Sequence, residues 1–318
     1  MLDLVDDVRV VSVPMRVPFR GVRHREAVLL RGPAGWGEFA PFLEYDDAEA
    51  ARWLAAALEA CTRGWPAPVR SSVPVNATVP AVAASQVPSV LARFPGCTTA
   101  KVKVAEAGQS LADDRARVAA VRAALGPAGR LRVDANGGWS LEQARRALDV
   151  LGPYGLEYAE QPCAALADLA ALRGRGVLVA ADESVRKAED PLRVARLGAA
   201  DVLVLKVAPL GGVAPALAIA RECGLPVVVS SALDTSVGIS AGVALAAALP
   251  ELPYACGLAT TSLMASDVVV ASLDGAGGSI AAGAVAPDPA RLDALAAPAE
   301  RAQWWRARLR RCAALLSP

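Results

Sequence analysis

The sequence predicts an α/β protein in which a (β/α)7β TIM-like barrel carries a smaller α+β capping domain. From about residue 73, eight short apolar segments alternate with seven helical patterns, and this alternation is the order of a parallel barrel. The first 70 or so residues contain two or three strands followed by one helix, which is typical of an α+β layer. The chain has 318 residues and is long enough for both parts.

We expect the capping domain to cover residues 1–72 and the barrel residues 73–285. Residues 63–72 carry two prolines and a glycine, which favours a linker. The last segment, residues 286–318, ends in a basic amphipathic helix that contains Trp304 and Trp305. Because no second membrane-anchoring signal accompanies this helix, we expect it to pack on the capping domain.

The barrel strands are predicted from short aliphatic runs bounded by turn-forming residues. They are expected at residues 75–79, 99–104, 131–134, 156–160, 177–182, 202–207, 227–231 and 254–258. Helical periodicity lies between them, most clearly at residues 111–125, 141–151 and 213–223.

The bulk composition excludes several classes of partner. The formal net charge is +1, from 33 basic and 32 acidic residues, so no basic face for nucleic acid is expected. The longest apolar run, residues 237–249, is too short to span a bilayer. The N-terminus lacks signal-peptide features, and the six cysteines are scattered without a CxxC pair. These observations favour a cytoplasmic protein with reduced thiols, no disulfide framework and no zinc site.

Three predicted strands end in a carboxylate. LRVD ends in Asp134, LEYAE in Glu160 and VLVAAD in Asp182, at spacings of 26 and 22 residues. Each spacing is about one strand-plus-helix unit, so the three carboxylates should lie at the same end of neighbouring strands. Like charges this close repel one another unless a cation lies between them. Since no His or Cys accompanies these oxygen donors, the pattern favours Mg²⁺, for which Mn²⁺ would substitute.

Three lysines lie on two further strands of the same predicted barrel. Lys101 and Lys103 point the same way because strand side chains alternate, and Lys206 lies on the sixth strand. In a ring of eight strands, the second and the sixth face each other across the mouth. This arrangement suits removal of a proton next to a substrate carboxylate by one lysine, while the cation and the other lysine stabilise the enediolate. Any one of these charges taken alone is as well explained by a solvated loop residue or a structural ion pair.

The motifs AKVK, VDAN, YAEQP, ADES and VLK, in this order, together with GWGEFAPF near the N-terminus, resemble the enolase superfamily in its muconate-lactonising subgroup. Sites of this superfamily use a Lys or His base and Mg²⁺ to stabilise an enediolate. The resemblance covers nearly the whole chain. It implies that Asp134, Glu160 and Asp182 are the metal ligands. It also implies that Lys103 is the acid and base on one face and Lys206 the lysine on the other, with Lys101 beside Lys103 tuning it.

Further segments resemble one branch of that subgroup, which dehydrates a cyclohexadiene carboxylate to an aromatic ring in menaquinone synthesis. These segments are PMRVPFRGVRHRE, RVDAN with its Arg132, SSALDTSVGI and ACGLAT. The resemblance implies that Ser230, Ser231 and neighbouring residues such as Gly257 bind a substrate carboxylate. It also implies that the loop around Phe19 and Arg20 closes over the site.

Three other functions remain open at this point. A racemase or epimerase of N-succinylamino acids or dipeptides would use both lysines as acid and base on the same scaffold. A Schiff-base aldolase would use Lys206 but would not need three carboxylates. A non-catalytic barrel would have no reason to keep all of the acids and lysines. The sequence leaves the oligomeric state open.

Overall fold

The computed structural model describes residues 2–19, 21–186 and 190–316. The described strands are β1 (Asp7–Phe19), β2 (Val22–Gly32), β3 (Gly35–Phe39), β4 (Ser72–Pro74), β5 (Ala77–Val79), β6 (Thr99–Lys103), β7 (Arg130–Asp134), β8 (Leu156–Glu160), β9 (Leu178–Ala181), β10 (Val202–Leu205), β11 (Val227–Val229) and β12 (Ser279–Ala281). The described α-helices are α1 (Asp47–Thr62), α2 (Val87–Leu91), α3 (Leu111–Leu125), α4 (Leu141–Leu151), α5 (Leu166–Leu172), α6 (Asp190–Arg196), α7 (Val213–Cys223), α8 (Ser236–Ala248), α9 (Pro289–Ala294) and α10 (Ala299–Leu316).

The N-terminal part is an antiparallel sheet of β1, β2 and β3 covered by α1. Strands β1 and β2 form a long hairpin whose pairing runs from Asp7↔Arg31 to Phe19↔Val22. Most of the segment PMRVPFRGVRHRE, residues 14–26, therefore lies within the two strands, in the halves nearest their connection. We refer to β1–β3, α1, the segment that joins β3 to α1, and α10 together as the cap.

Helix α1 packs closely on the sheet because its partner strand carries a glycine. The helix begins after Asp46, whose side chain accepts a hydrogen bond from the backbone N–H of Glu49 at 2.8 Å. It buries Trp53 among other apolar residues. A Cβ added at Gly37 of β3 would lie 2.0 Å from the backbone oxygen of Ala57, so only glycine permits this approach of strand and helix.

The barrel consists of seven parallel strands in the order β11-β10-β9-β8-β7-β6-β5. The segment expected as an eighth strand, residues 254–258, contains only two isolated bridges, Val75↔Cys256 and Ser230↔Gly257. Hydrogen bonds join this segment to both edges of the sheet. The N–H of Cys256 donates to the Pro74 oxygen at 2.7 Å, and the N–H of Gly257 donates to the Val229 oxygen at 2.8 Å. The barrel closes through this segment, so the predicted fold class is confirmed.

The C-terminal helix α10 packs against the N-terminal sheet. Trp305 is 1 % exposed, donates from its indole nitrogen to Glu26 of β2 at 2.8 Å, and meets the Phe39 ring edge-on at 6.0 Å between centroids. Arg301 pairs with the same glutamate. The domain boundary at residue 72 stays a prediction. Within the described ranges, every helix is too short or too polar to cross a membrane.

Replacing Trp305 with alanine should lower the free energy of unfolding by about 3–5 kcal/mol, because it opens a cavity in the cap and removes one of the donors to Glu26. The control is Trp304→Ala on the same helix. Trp304 is 36 % exposed, so its loss should cost less than about 1 kcal/mol. Urea unfolding followed by circular dichroism measures both variants. Equal losses would contradict the packing of α10 described here.

Candidate active site

The charged residues singled out in the sequence lie together at the carboxyl ends of the barrel strands. Lys103, Asp134 and Glu160 are the last residues of β6, β7 and β8 and lie side by side in the strand register. Asp182 and Lys206 directly follow β9 and β10. In a parallel barrel this end carries the chemistry, since the loops that follow the strands surround it.

Two lysines neutralise one side of this cluster. The Lys101 ammonium donates to Asp134 Oδ2 at 2.9 Å and to Glu160 Oε1 at 2.5 Å. The Lys103 ammonium donates to the same Asp134 oxygen at 2.5 Å. Both lysines therefore point the same way along β6, as strand alternation predicts, and Lys101 bridges two of the three acids.

The third acid has its own cations on the far side. Lys206 donates to Asp182 Oδ1, and Arg186 donates to Asp182 Oδ2 at 3.3 Å. Strands β7, β8 and β9 separate β6 from β10. Lys103 and Lys206 consequently face the cluster from opposite sides of the mouth, as the strand count predicts.

Burial and crowding move the pKa values of these groups apart. Burial, reinforced by the charge of Asp134, raises the pKa of the Glu160 carboxyl to about 7. Burial would also raise the pKa of Asp134, but the ammonium groups of Lys101 and Lys103 hold it well below its usual range. Burial lowers the pKa of the Lys206 ammonium, against the opposing effect of the nearby carboxylates.

The same three carboxylates are the groups that could hold a divalent cation. In the side-chain arrangement of the described residues, no three His, Cys, Asp or Glu side chains converge on one point, and Lys101 bridges Asp134 and Glu160. The donor set nevertheless fits a hard cation, because all its ligand atoms are carboxylate oxygens. Glu160 Oε2 is buried without a hydrogen-bond partner, which is the kind of oxygen that a cation would satisfy.

A pocket with about 570 Å³ of empty space opens above these groups, between the barrel and the cap. The barrel contributes the three lysines together with Asp134 and Asp182, and the cap contributes an aromatic wall of Phe42, Tyr45 and Trp53. The three rings contact one another at 5.9–6.1 Å between centroids. The pocket is therefore charged at its floor and apolar at its roof.

Ser230, Ser231 and Gly257 also line this pocket, as the sequence predicts for residues near a substrate. Their backbone geometry limits how they can bind an anion. The N–H of Ser230 donates to the Leu205 oxygen, and the N–H of Ser231 donates to the Gly257 oxygen. The hydroxyl groups are left to face a ligand, and that of Ser231 lies 2.7 Å from the hydroxyl of Thr260.

Arg132 lies one layer below the pocket, inside the barrel. Its guanidinium donates to Glu157 at 2.6 Å and to the backbone oxygen of Ala255 at 2.7 Å, and stacks on the Tyr158 ring at 4.7 Å. It is fully buried and does not line the pocket, so its position suits support of the site rather than contact with a ligand. The side chain of Phe19 and all of Arg20 lie outside the described residues.

Sequence reasoning missed several residues of the site. Asn136 accepts from Lys103 at 2.7 Å and donates to Glu183 at 3.1 Å, and Arg186 donates to Tyr45 of the cap at 2.8 Å. The signal for Asn136 was present in VDAN, where the residue follows the strand end by two positions. Tyr45 and Arg186 had no local signal, because their contact joins segments 141 residues apart.

The raised pKa of Glu160 predicts how the stability of the metal-free protein depends on pH. Its carboxyl has a pKa of about 7 when folded, against 4.5 ordinarily, so between these values the folded chain binds more protons than the unfolded chain. The unfolding free energy of wild type relative to Glu160→Gln should therefore fall as pH rises from about 4.5 to 7, then level off. Unfolding of both proteins by denaturant, in the presence of a metal chelator and across this pH range, measures the difference.

The matched control is Glu142→Gln, at an exposed carboxylate of α4. Because this carboxylate is exposed and water screens its ion pair with Arg146, its removal should change the unfolding free energy by less than about 1 kcal/mol. A wild-type to Glu160→Gln difference that stays constant from pH 4.5 to 7 would contradict the crowding of buried acids described above.

Comparison with known proteins agrees with this geometry. Residues 85–288 match the family described as enolase C-terminal domain-like, and residues 10–61 match the enolase N-terminal domain-like family. Among curated proteins, the chain is 59 % identical to the o-succinylbenzoate synthase of Mycolicibacterium smegmatis, over 99 % of this chain and 97 % of that protein. It is 58 % identical to the o-succinylbenzoate synthase of Mycobacterium leprae, over 100 % of this chain and 95 % of that one.

Solved structures support the fold. The muconate lactonizing enzyme from Pseudomonas putida superposes with a TM-score of 0.78 at 21 % identity, over 92 % of this chain and all of that one. A muconate lactonizing enzyme from Pseudomonas fluorescens superposes with a TM-score of 0.77 at 22 % identity, over 92 % of this chain and 99 % of that one. Enzymes of this superfamily generally use a divalent metal. From the matching domain families, the full-length relatives and the shared barrel, the chain belongs to the enolase superfamily.

Proposed function

We propose that this chain is an o-succinylbenzoate synthase. The reaction is the syn-dehydration of 2-succinyl-6-hydroxy-2,4-cyclohexadiene-1-carboxylate to o-succinylbenzoate and water, in menaquinone biosynthesis. The observation that carries the proposal is the row of three strand-end carboxylates between Lys103 and Lys206, beneath an apolar roof. The names of relatives at 58–59 % identity over nearly the whole chain support it. The enzyme is accordingly a carbon–oxygen lyase.

Asp134, Glu160 and Asp182 are the proposed metal ligands, and Mg²⁺, for which Mn²⁺ can substitute, is the proposed metal. When bound, the metal supplies positive charge and Lewis acidity at the substrate carboxylate. The buried Glu160 oxygen without a partner supports this assignment. Lys101, which bridges two of these acids, balances their charge and holds them in place.

Lys103 is the proposed acid and base. Asn136 and Asp134 accept hydrogen bonds from its ammonium group and so fix where its nitrogen lies. As a neutral amine it removes the proton from the ring carbon that carries the carboxylate. The electrons of that C–H bond first move onto the carboxylate, which becomes an enediolate, and then form the new ring double bond as the C–O bond to the neighbouring hydroxyl breaks. Lys103 returns its proton to the departing hydroxyl, which leaves as water.

Lys206 is proposed to act through its charge. It lies across the mouth from Lys103 and beside Asp182. An ammonium held there stabilises the negative charge that the substrate carboxylate gains when the neighbouring proton leaves. Dehydration on one face of the ring requires no proton transfer from this side.

The walls of the pocket suit a carboxylated ring. Phe42, Tyr45 and Trp53 form an apolar roof for the ring. The Ser231 and Thr260 hydroxyl groups are bonded to each other, and the one that accepts in this pair keeps its hydrogen to donate to the succinyl carboxylate or ketone. We therefore propose a small-molecule dicarboxylate as the substrate. The six free cysteines fit a reducing compartment such as the cytoplasm.

The most direct test is conversion of the cyclohexadiene substrate, followed by the absorbance change on aromatisation. Wild type should be active with Mg²⁺ or Mn²⁺ and inactive after chelation, because the substrate carboxylate then lacks its main positive partner. Lys103→Ala should lose at least about a thousandfold in kcat, as expected for a missing general base in a preorganised site. Activity retained in chelator, or in Lys103→Ala, would overturn the proposal.

A second candidate is a racemase of N-succinylamino acids, or a dipeptide epimerase. The lowered pKa of Lys206 favours it, because a lysine that releases its proton more readily can serve as acid and base on the second face.

Lys206→Arg separates the two functions. Arginine keeps the positive charge but does not exchange protons near neutral pH. We expect the variant to keep some dehydration and to lose any racemisation of N-succinylamino acids, scored by deuterium incorporation in D₂O. If wild type racemises N-succinylamino acids but does not dehydrate the cyclohexadiene, the racemase is the better assignment.

A further inference from the structure

Two buried charged residues of the cap contact a loop of the barrel. Arg25 of β2 is 3 % exposed and Glu38 of β3 is 7 % exposed. Both reach residues 230–235, the segment between β11 and α8, which we call the β11–α8 loop. Burying an ionisable side chain costs free energy unless hydrogen bonds or opposite charges compensate it. The groups that Arg25 and Glu38 bind therefore indicate their role.

Arg25 binds backbone carbonyl groups. Its guanidinium donates to the oxygen of Leu233 at 2.9 Å, to that of Ala232 at 3.2 Å, and to that of Ala40 in its own part of the fold. Its planar face lies 4.6 Å from the centroid of the Phe42 ring. Arg25 thus binds two carbonyl groups of the loop and also contacts the aromatic roof of the pocket.

Glu38 binds the start of the helix that follows the loop. Its carboxylate accepts from the backbone N–H of Thr235 at 3.2 Å, from the Thr235 hydroxyl at 2.5 Å, and from the N–H of Gly238 at 3.0 Å. These N–H groups have no partner within the helix, so the Glu38 carboxyl oxygens accept from donors that the helix leaves open. Burial and the neighbouring Asp234 raise the pKa of this carboxyl to about 8. A Cβ at Gly238 would lie 2.6 Å from Asp234 Cβ and 3.0 Å from the Glu38 carboxyl carbon, so glycine leaves room for both side chains.

The loop held in this way has a costly backbone conformation. Leu233 has a φ of +65°, a region that residues with a side chain seldom adopt. Asp234 accepts from the N–H of Ala232 at 2.9 Å and closes the turn. Ser230, Ser231 and Leu233 line the pocket. Strained residues of this kind persist where the surrounding structure over-determines them, and here the surroundings are Arg25 and Glu38.

We propose that Arg25 and Glu38 are positioning residues, which fix the β11–α8 loop in the conformation that presents Ser230 and Ser231 to the substrate. The cap then determines substrate affinity in two ways, directly through its aromatic residues and indirectly through a loop that belongs to the barrel. The statement about substrate rests on the proposed synthase function, whereas the statement about loop conformation does not.

The first test replaces Arg25 with methionine, which keeps most of the apolar stem and removes the donors. We expect KM for the cyclohexadiene carboxylate to rise at least tenfold, while kcat falls less than threefold, because the lysines and carboxylates stay in place. Backbone hydrogen exchange of peptides covering residues 230–238, measured by mass spectrometry without any ligand, should become at least tenfold faster. Arg25→Lys should recover part of both effects.

Arg122→Met is the matched control. Arg122 also donates to backbone carbonyls, at 2.9 Å to Tyr154 and 2.7 Å to Gly129, but these residues precede β8 and β7 at the opposite end of the barrel. This variant should lose stability without a change in KM or in exchange of the loop. Equal KM increases in both arginine variants, or unchanged exchange of the loop in Arg25→Met, would overturn the proposal.

If Arg25→Met does not fold, Thr235→Val tests the second contact between cap and loop, that of Glu38, from the barrel side. It removes the hydroxyl that donates to Glu38 and accepts from the Val237 N–H. We expect a smaller rise in KM, about threefold, with faster exchange of residues 230–238. Unchanged KM and unchanged exchange in this variant would count against the positioning role. The two proposals can fail separately. If wild type does not dehydrate the substrate but hydrogen exchange of the loop is still faster in these variants, the proposed synthase function is wrong and the proposed positioning of the loop is supported.

Discussion

The structure depends on one electrostatic constraint, which is the placement of three carboxylates in a buried layer at the ends of β7, β8 and β9. Asp134, Glu160 and Asp182 are each at most 3 % exposed, so water cannot screen their mutual repulsion. Lys101, Lys103 and Lys206 surround them. These ion pairs explain why β6 and β10 carry lysines where a barrel would otherwise hold aliphatic side chains. A divalent cation bound by all three acids, as proposed above, would offset the repulsion further.

Much of this layer could be predicted from the sequence, because it follows from local rules. Each acid ends a short apolar strand, and the spacing of whole strand-plus-helix units brings Asp134, Glu160 and Asp182 to one edge. The match to the superfamily is confirmed by the comparisons. The last predicted strand was only partly right. Residues 254–258 contain two bridges in place of a regular ladder, although they still close the barrel.

The cap was less predictable, since its role depends on contacts between distant segments. Arg25 meets a loop 207 or 208 residues away, and Glu38 meets a helix start about 200 residues away. No periodicity or spacing in a single sequence encodes such pairs. The one available hint was an acidic residue within the apolar segment GWGEFAPF, where Glu38 would be costly to bury without a partner. The barrel therefore supplies the reactive groups, and the cap encloses them and shapes the loop beside them.

The central claim is that the three carboxylates share one divalent cation. Crystals grown with Mn²⁺ and measured near the manganese absorption edge test it most directly. The account predicts a single anomalous peak about 2 Å from carboxylate oxygens of Asp134, Glu160 and Asp182, with the Lys101 ammonium moved away from at least one of them. A peak bound elsewhere, or no peak at saturating Mn²⁺ with Lys101 still bridging Asp134 and Glu160, would contradict it.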